Sequence, residues 1–384
     1  MRYHHLSIAV PMMDELDNIP FLLEDIRQQS LHDFSLYVCV NQPDEWCSDS
    51  SFATVYHANQ QSLALLRTVA DIPITLIDCS SPGCGWTAKR KGVGWARKRL
   101  FECILDNSNA DEIIVSMDAD THFNSDYFES ILDCFNANPA VSALSIPYYH
   151  NLTGNESMDR PLLRYECYMR HYLIQMLSIH NPYAFTAIGS AMAFPAWAYK
   201  RVGGITPLQG GEDFYLMQKF VKTGTISSRL KHLEQDAYKS VGVFPSGRVS
   251  SRVPFGTGPA VALSISEQQQ RYPFFHHDAF IPIQKTFDSF HDLYDRDFET
   301  PMSLFLREQL AVDDLWGPLR KNFKKRDLFI RACQERVDGL RILQFLKQLN
   351  LPQEPNLPDF QTDSIPVLDN FRNKLFRTEM SLRR

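Results

Sequence analysis

Through its first half this chain alternates short apolar runs with stretches of helical spacing, and that alternation restricts it to a mostly parallel sheet covered by helices. Residues 6–10, 36–40, 74–77, 113–117 and 143–147 read as strands. After the first of them, residues 11–17 form a loop, and Ile19, Leu22, Leu23 and Ile26 share one face of a helix with Asn18 at its N-cap. Residues 95–105 and 124–137 continue the pattern with two more helices. Open α/β sheets bind ligands outside the carboxyl ends of their strands, so the residues just past each run are where chemistry is expected.

The β-branched run 113–117 ends in Asp118, Ala119 and Asp120. With one residue between them, both carboxylates reach the same small volume, where a divalent metal and a phosphorylated ligand would relieve their repulsion. A chain of this length contains an Asp-x-Asp triplet about once by chance. The sequence supplies its own comparison in Asp295, Arg296 and Asp297, which follow an amphipathic stretch with no strand before them. The first triplet stands where a site belongs, and the second reads as a solvated face.

A length of 384 residues accommodates one large domain with an appendage, or two domains. The net charge of −6 argues against a general nucleic-acid binder, so an anionic ligand needs a focused site. Eight cysteines include no Cys-x-x-Cys pair, and several lie in apolar runs, which points to reduced thiols. The strand-like run at 6–10 leaves no room for a signal peptide, and no apolar stretch approaches membrane-spanning length. The expected location is the cytoplasm.

Farther along, residues 151–179 read as a long aromatic helix with Tyr165, Tyr168, Tyr172 and Met176 near helical spacing, a pattern more often core than sugar platform. Residues 187–194 are small and apolar, and 203–213 form a Gly-rich loop entering a helix at Phe214. Past about residue 270 the alternation stops and helical segments at 287–294, 302–310 and 328–349 follow, then a linker marked by Pro352, Pro355 and Pro358 and a short basic tail. The expected division is 1–270 as the α/β domain, with a nucleotide-binding half (1–122) and an acceptor half (123–270), and 271–384 as a helical C-terminal appendage.

Four segments in order resemble family 2 glycosyltransferases. Residues 7–15 (SIAVPMMDE) are similar to that family's opening strand and loop, with Asp14 where Asn is commoner; Asp118–Asp120 falls where the family carries its DxD motif; 189–194 resembles the strand before the acceptor loop; and 203–213 (GGITPLQGGED) resembles the Gly-rich stretch ending in Glu-Asp. The resemblance covers about residues 6–260. It implies a GT-A fold, a nucleotide-diphosphate sugar donor, a carbohydrate or lipid-linked acceptor hydroxyl, inversion at the anomeric carbon, and Mn²⁺ or Mg²⁺.

On this reading Asp120 holds the metal, with Asp118 beside it at the ribose or a metal-bound water. Asp213 is the general base, its alternative being a helix cap, and Glu212 orients the acceptor or complements the helix dipole. The basic, Gly-containing stretch 89–97 leads into a helix N-terminus, as a diphosphate requires, and Arg90 and Arg97 are its candidates; Lys98 stands where the family often has Asn. Pro11, Asp14, Glu15 and Asn41 are expected around the base. Many members have Asp-Asp-Gly-Ser after the second strand, whereas this chain has Asn41, Gln42, Pro43 and Asp44, so uracil preference does not carry over and Asp78 is the alternative base-recognition residue. Arg248 and Arg252 are candidates for a diphosphate clamp, and His232, His276 and His277 for a third metal ligand.

The QQQRY sequence at 268–272 lacks the Trp of the QxxRW found in processive synthases, so addition of a single sugar is expected. Basic residues at 320–326 are able to touch an anionic membrane, though a solvated face explains them as well. Two other readings compete. A sugar-1-phosphate nucleotidylyltransferase normally carries a Gly-rich signature after its first strand, and residues 11–14 contain no glycine. A non-catalytic nucleotide- or carbohydrate-binding protein is the other.

Overall fold

Aliphatic side chains sealed on both faces build the sheet: Ile8, Val10, Leu36, Val38, Val40, Ile113 and Val115 are wholly buried, each contributing about 1.5–3 kcal/mol of apolar transfer. The coordinates are a computed structural model describing every residue except 1, 88–89, 91, 108–110, 229–241, 251, 350 and 384. Two compact units result, one of residues 1–162 and 185–264 and one of 163–184 and 265–383.

The strands are β1 (Leu6–Met12), β2 (Phe34–Asn41), β3 (Ile74–Cys79), β4 (Ile113–Ser116), β5 (His122–Phe123), β6 (Val141–Ser145), β7 (Met192–Pro195), β8 (Thr225–Ser227) and β9 (Val243–Phe244). Among the described residues the main sheet runs β3-β2-β1-β4-β7-β6-β8, and all its pairings are parallel except those of β7. The register Ala9↔Ser116 sets the carboxyl ends of β1 and β4 side by side. In the same unit lie α1 (Ile19–Arg27), α2 (Ala53–Arg67), α3 (Val93–Asn107), α4 (Tyr127–Ala137), the start of α5 (Glu156–Ser178), α6 (Ala196–Arg201), α7 (Glu212–Val221) and α8 (Thr257–Val261). The crossover helix α2 has only a weak apolar stripe (Leu63, Leu66) and was not expected from spacing. Asn18 precedes α1 as expected but does not cap it, because its amide donates to Glu15 Oε2 at 2.5 Å.

The second unit takes most of α5 together with α9 (Ile265–Arg271), α10 (Ile281–Asp288), α11 (Pro301–Leu310), α12 (Gly317–Asn322), α13 (Arg326–Arg336), α14 (Gly339–Gln348) and α15 (Ile365–Leu382). The single helix expected over 328–349 is two, because Asp338 caps α14 by accepting the Arg341 N–H at 3.0 Å. The expected short basic tail is instead α15, which buries Leu368, Arg372, Phe376 and Glu379. Arg372 pairs with Glu166 at 3.2 Å, and Glu379 joins Arg170 at 2.5 Å and Arg383 at 2.6 Å, all of them buried. Here buried ion pairs stand beside the apolar contacts of Leu368 and Phe376, and spacing does not disclose the pairs.

Tyr165 and Tyr168 are buried against Tyr272, and Tyr172 packs on Phe280, so the aromatic stripe of α5 is core. Gln268 of the QQQRY run is buried as well. Asp295 and Asp297 are exposed partners of Arg326 (2.8 Å) and Arg320 (2.6 Å), which accounts both for the second Asp-x-Asp and for part of the basic stretch. All eight cysteines are unbridged. Among the described residues no helix is long and apolar enough to cross a membrane.

Candidate active site

Met117 continues β4 by donating its N–H to Ala9 at 3.1 Å, and the Thr121 N–H closes a turn on the Asp118 carbonyl at 3.2 Å. That turn throws Asp118 and Asp120 off the sheet beside the loop that follows β1. In this loop Asp14 takes a left-handed φ of +57°, a conformation that Asn and Asp tolerate best, and its N–H donates to Asn59 Oδ1 at 2.9 Å. The next residue, Glu15, is buried.

β5 pairs with β9, which brings the segment after β9 back over the same turn. Arg248 Nε lies 2.9 Å from Asp120 Oδ2, and the same guanidinium bonds Glu15. Arg252 also reaches Glu15 and donates to the Met13 carbonyl at 2.6 Å. Glu15, Asp120, Arg248 and Arg252 thus form one charged cluster. Burial, then Asp118 and Glu15, push the Asp120 carboxyl up to about 6 against the opposing pull of Arg248 and Arg252. Glu15 and Asp120, held by one guanidinium, are ligands of the oxygen type that a divalent cation such as Mg²⁺ or Mn²⁺ takes.

On the other side of Asp118 stands Arg97, from α3. It is buried, donates to Asp118 Oδ1 at 2.6 Å and pairs with Glu212 at the start of α7. A Cβ on Gly189 would lie 2.1 Å from Arg97 Nη2, so this glycine leaves the guanidinium its passage. Burial opposes the charge on Arg97, but Asp118, Glu212 and Asp213 hold it above its ordinary value. Arg97, expected at a diphosphate, therefore ties the strand-end triplet to the Glu-Asp pair.

Asp213 is half-buried in the first turn of α7 and accepts its neighbour Phe214's N–H at 2.7 Å. Burial and the adjacent Glu212 push its carboxyl up to about 7, in spite of Arg97. The loop before α7 turns on glycines of positive φ (Gly203, Gly204, Gly211) and is held by Lys219 Nζ, which donates to the Gly204 carbonyl at 2.8 Å.

Pro11 is buried within β1; Asn41 bonds the Met12 carbonyl (2.9 Å) and accepts from Trp86 Nε1 (3.1 Å); Asp78 accepts the Ser80 and Ser81 N–H groups and the Ser81 hydroxyl. These hydrogen bonds outweigh burial and hold the Asp78 carboxyl below its ordinary value. Asn41 and Asp78 therefore fasten the loops beyond β2 and β3. Arg90 is exposed and lies over the Trp95 ring, 5.1 Å from its centroid. Lys89, Lys91 and His232 lie outside the described residues. His276 and His277 belong to the second unit. Spacing did not reveal Gly189, whose signal is a single glycine in a small, apolar run.

Residues 113–273 match the family model described as glycosyl transferase family group 2, a stretch running from β4 through the Asp118–Asp120 turn and α7. That match covers less than half of the chain; the main sheet, parallel except at β7 and flanked by helices, is the α/β arrangement expected from the sequence. No curated protein matches the chain. Among solved structures it is similar to S. aureus TarS 1–349 in complex with UDP-GlcNAc, at 12% identity over 99% of this chain and 91% of that one, TM-score 0.43. It is also similar to the mannosyltransferase PcManGT from Pyrobaculum calidifontis in complex with GDP-Man and Mn²⁺, at 15% identity over 88% of each chain, TM-score 0.38.

Proposed function

We propose that this chain transfers a single sugar from a nucleotide-diphosphate donor to a hydroxyl acceptor by one in-line displacement, with inversion at the anomeric carbon. The observation that carries the reading is the ionic chain Asp118–Arg97–Glu212, which couples a strand-end carboxylate cluster to a half-buried acid. One side has the charge to organise a diphosphate and the other has a base.

Asp213 takes the proton of the acceptor hydroxyl as that oxygen forms its bond to the anomeric carbon, while the bond from that carbon to the diphosphate oxygen breaks. A carboxyl at about 7 is close to half ionised at neutral pH, where a general base works well. Arg248 and Arg252, now on Glu15 and Asp120, exchange carboxylates for the oxygens of the leaving diphosphate. Asp120, Asp118 and Glu15 are the residues that would hold Mn²⁺ or Mg²⁺, which when bound supplies charge neutralisation to the leaving group. Asn41 and Asp78 hold the loops that border the nucleotide.

Asp213→Asn tests the assignment. The variant is expected to keep its donor affinity by calorimetry and to lose transfer, or donor hydrolysis where no acceptor is supplied, by the ~10²- to 10⁴-fold typical of general-base removal. Unchanged turnover would leave Asp213 a helix cap, and lost donor affinity would move it to the nucleotide side.

A further inference from the structure

A second set of side chains, in the unit of residues 163–184 and 265–383, has the composition of a transition-metal site. His276 and His277 begin a short 3₁₀ turn (His277–Phe280), and Glu354 comes from the proline-marked stretch after α14. One ligating atom from each of the three lies within 4.8 Å of the others. Backbone contacts hold them together: Phe275 bridges Gln353, the Glu354 N–H donates to the Phe274 carbonyl at 3.1 Å, and the His277 N–H donates to Glu354 Oε2 at 2.9 Å.

Asp278 supplies an independent observation. Its Oδ2 lies 3.4 Å from His276 Nδ1 and its Oδ1 3.5 Å from His277 Nε2. One carboxylate therefore faces one nitrogen of each ring. That leaves His276 Nε2 and His277 Nδ1 as the ligating atoms, and His277 Nδ1 is 3.4 Å from Glu354 Oε2. Metal-bound imidazoles almost always donate their second N–H to a carboxylate or carbonyl, which fixes the tautomer.

We propose that His276, His277 and Glu354 bind a divalent cation of the zinc class, oriented by Asp278, which fastens the stretch around Glu354 to the start of the 3₁₀ turn. Ligands about 2.0–2.1 Å from a tetrahedral zinc sit roughly 3.3 Å apart, so the spacing of His277 Nδ1 and Glu354 Oε2 already suits it. Two imidazoles and one carboxylate select zinc, cobalt or nickel over magnesium, unlike the carboxylates Glu15 and Asp120 around Arg248. On binding, His276 Nδ1 gives up the Asp278 N–H it now accepts at 3.2 Å and donates to the Asp278 carboxylate instead.

The test uses the full chain stripped with a chelator and titrated with Co²⁺, read by its visible d–d absorption and by equilibrium dialysis, with Zn²⁺ as competitor. Asp120→Asn serves as the background, so that uptake at the carboxylate cluster does not contribute. One equivalent of Co²⁺, displaced by Zn²⁺, is expected in that background. It is expected to be lost on adding His277→Ala or Glu354→Gln and weakened ~10- to 100-fold by Asp278→Asn, with circular dichroism unchanged. His277 is exposed, so its replacement leaves the fold intact. Absence of Co²⁺ uptake in the Asp120→Asn background, or uptake that survives both His277→Ala and Glu354→Gln, would overturn the proposal.

Discussion

Asp120 and Asp213 are both held above the ordinary carboxylate value of 3.8, at about 6 and about 7, chiefly by burial. The fold favours the protonated form of each, so the stability they contribute is fully present below about pH 4 and is lost as pH rises through 6 and then 7. The melting temperature of the ligand-free protein is therefore expected to carry a component that falls between about pH 4 and 7, and Asp213→Asn is expected to remove the part above about 6. A slope unchanged in that variant would contradict the assignment. Activity runs the other way: kcat/KM is expected to rise with pH to a plateau, with a midpoint near 7, because the base must be ionised. Metal-dependent nucleotide affinity is expected to weaken below about pH 6 as Asp120 takes up a proton. Asp120→Asn should abolish that affinity with the fold intact, whereas Asp297→Asn, which touches only the exposed Arg320 pair, should change neither affinity nor activity. Equal damage from the two would mean that strand context does not mark the site.

At the scale of elements, the site depends on helices and loops that reach across the first unit to one point. α3 delivers Arg97 past Gly189 to Asp118 and to the start of α7, and the pairing of β5 with β9 delivers Arg248 and Arg252 to Glu15. Gly189→Ala would set a Cβ against the Arg97 guanidinium, and overpacking of this kind costs about 1–3 kcal/mol. Displacing Arg97 also removes a charge that lowers Asp213, so the kcat/KM midpoint should move above 7 in that variant. A midpoint that stays put would show that the two are uncoupled. These contacts mark the limit of what sequence discloses. The strand ending at Asp118 is legible because β-branched residues give way at once to carboxylates. The destination of Arg97 is not, since Glu212 is 115 positions away and nothing local in α3 distinguishes a basic residue that faces solvent from one that is buried between acids. Arg248 and Glu15, 233 positions apart, are alike in this.

Across the whole molecule, the alternating first half discloses its parallel sheet because apolar strands and amphipathic helices carry their own periodicities. Among the later helices α11 was legible as 302–310, whereas the run 328–349 hid two helices and α9, α12 and α15 went unread. Two of the buried residues of α15, Arg372 and Glu379, are charged, and periodicity counts those as solvated. Glu379→Gln leaves Arg170 and Arg383 short of a buried counter-charge, and a loss of about 3–5 kcal/mol is expected from denaturant unfolding, with donor affinity unchanged. A loss below about 1 kcal/mol would mean that the network is incidental to stability. The central claim is that the carboxylates around Asp120 bind a nucleotide diphosphate through a divalent cation. Thermal-shift measurements with UDP and GDP, each with and without Mn²⁺ and referred to Mn²⁺ alone, test it most directly. One nucleotide is expected to raise the melting temperature only when Mn²⁺ is present, by an amount equivalent to about 2.7 kcal/mol at 100 times its Kd, and Asp120→Asn is expected to abolish that rise. No rise with either nucleotide, or a rise that Asp120→Asn retains in full, would contradict the account.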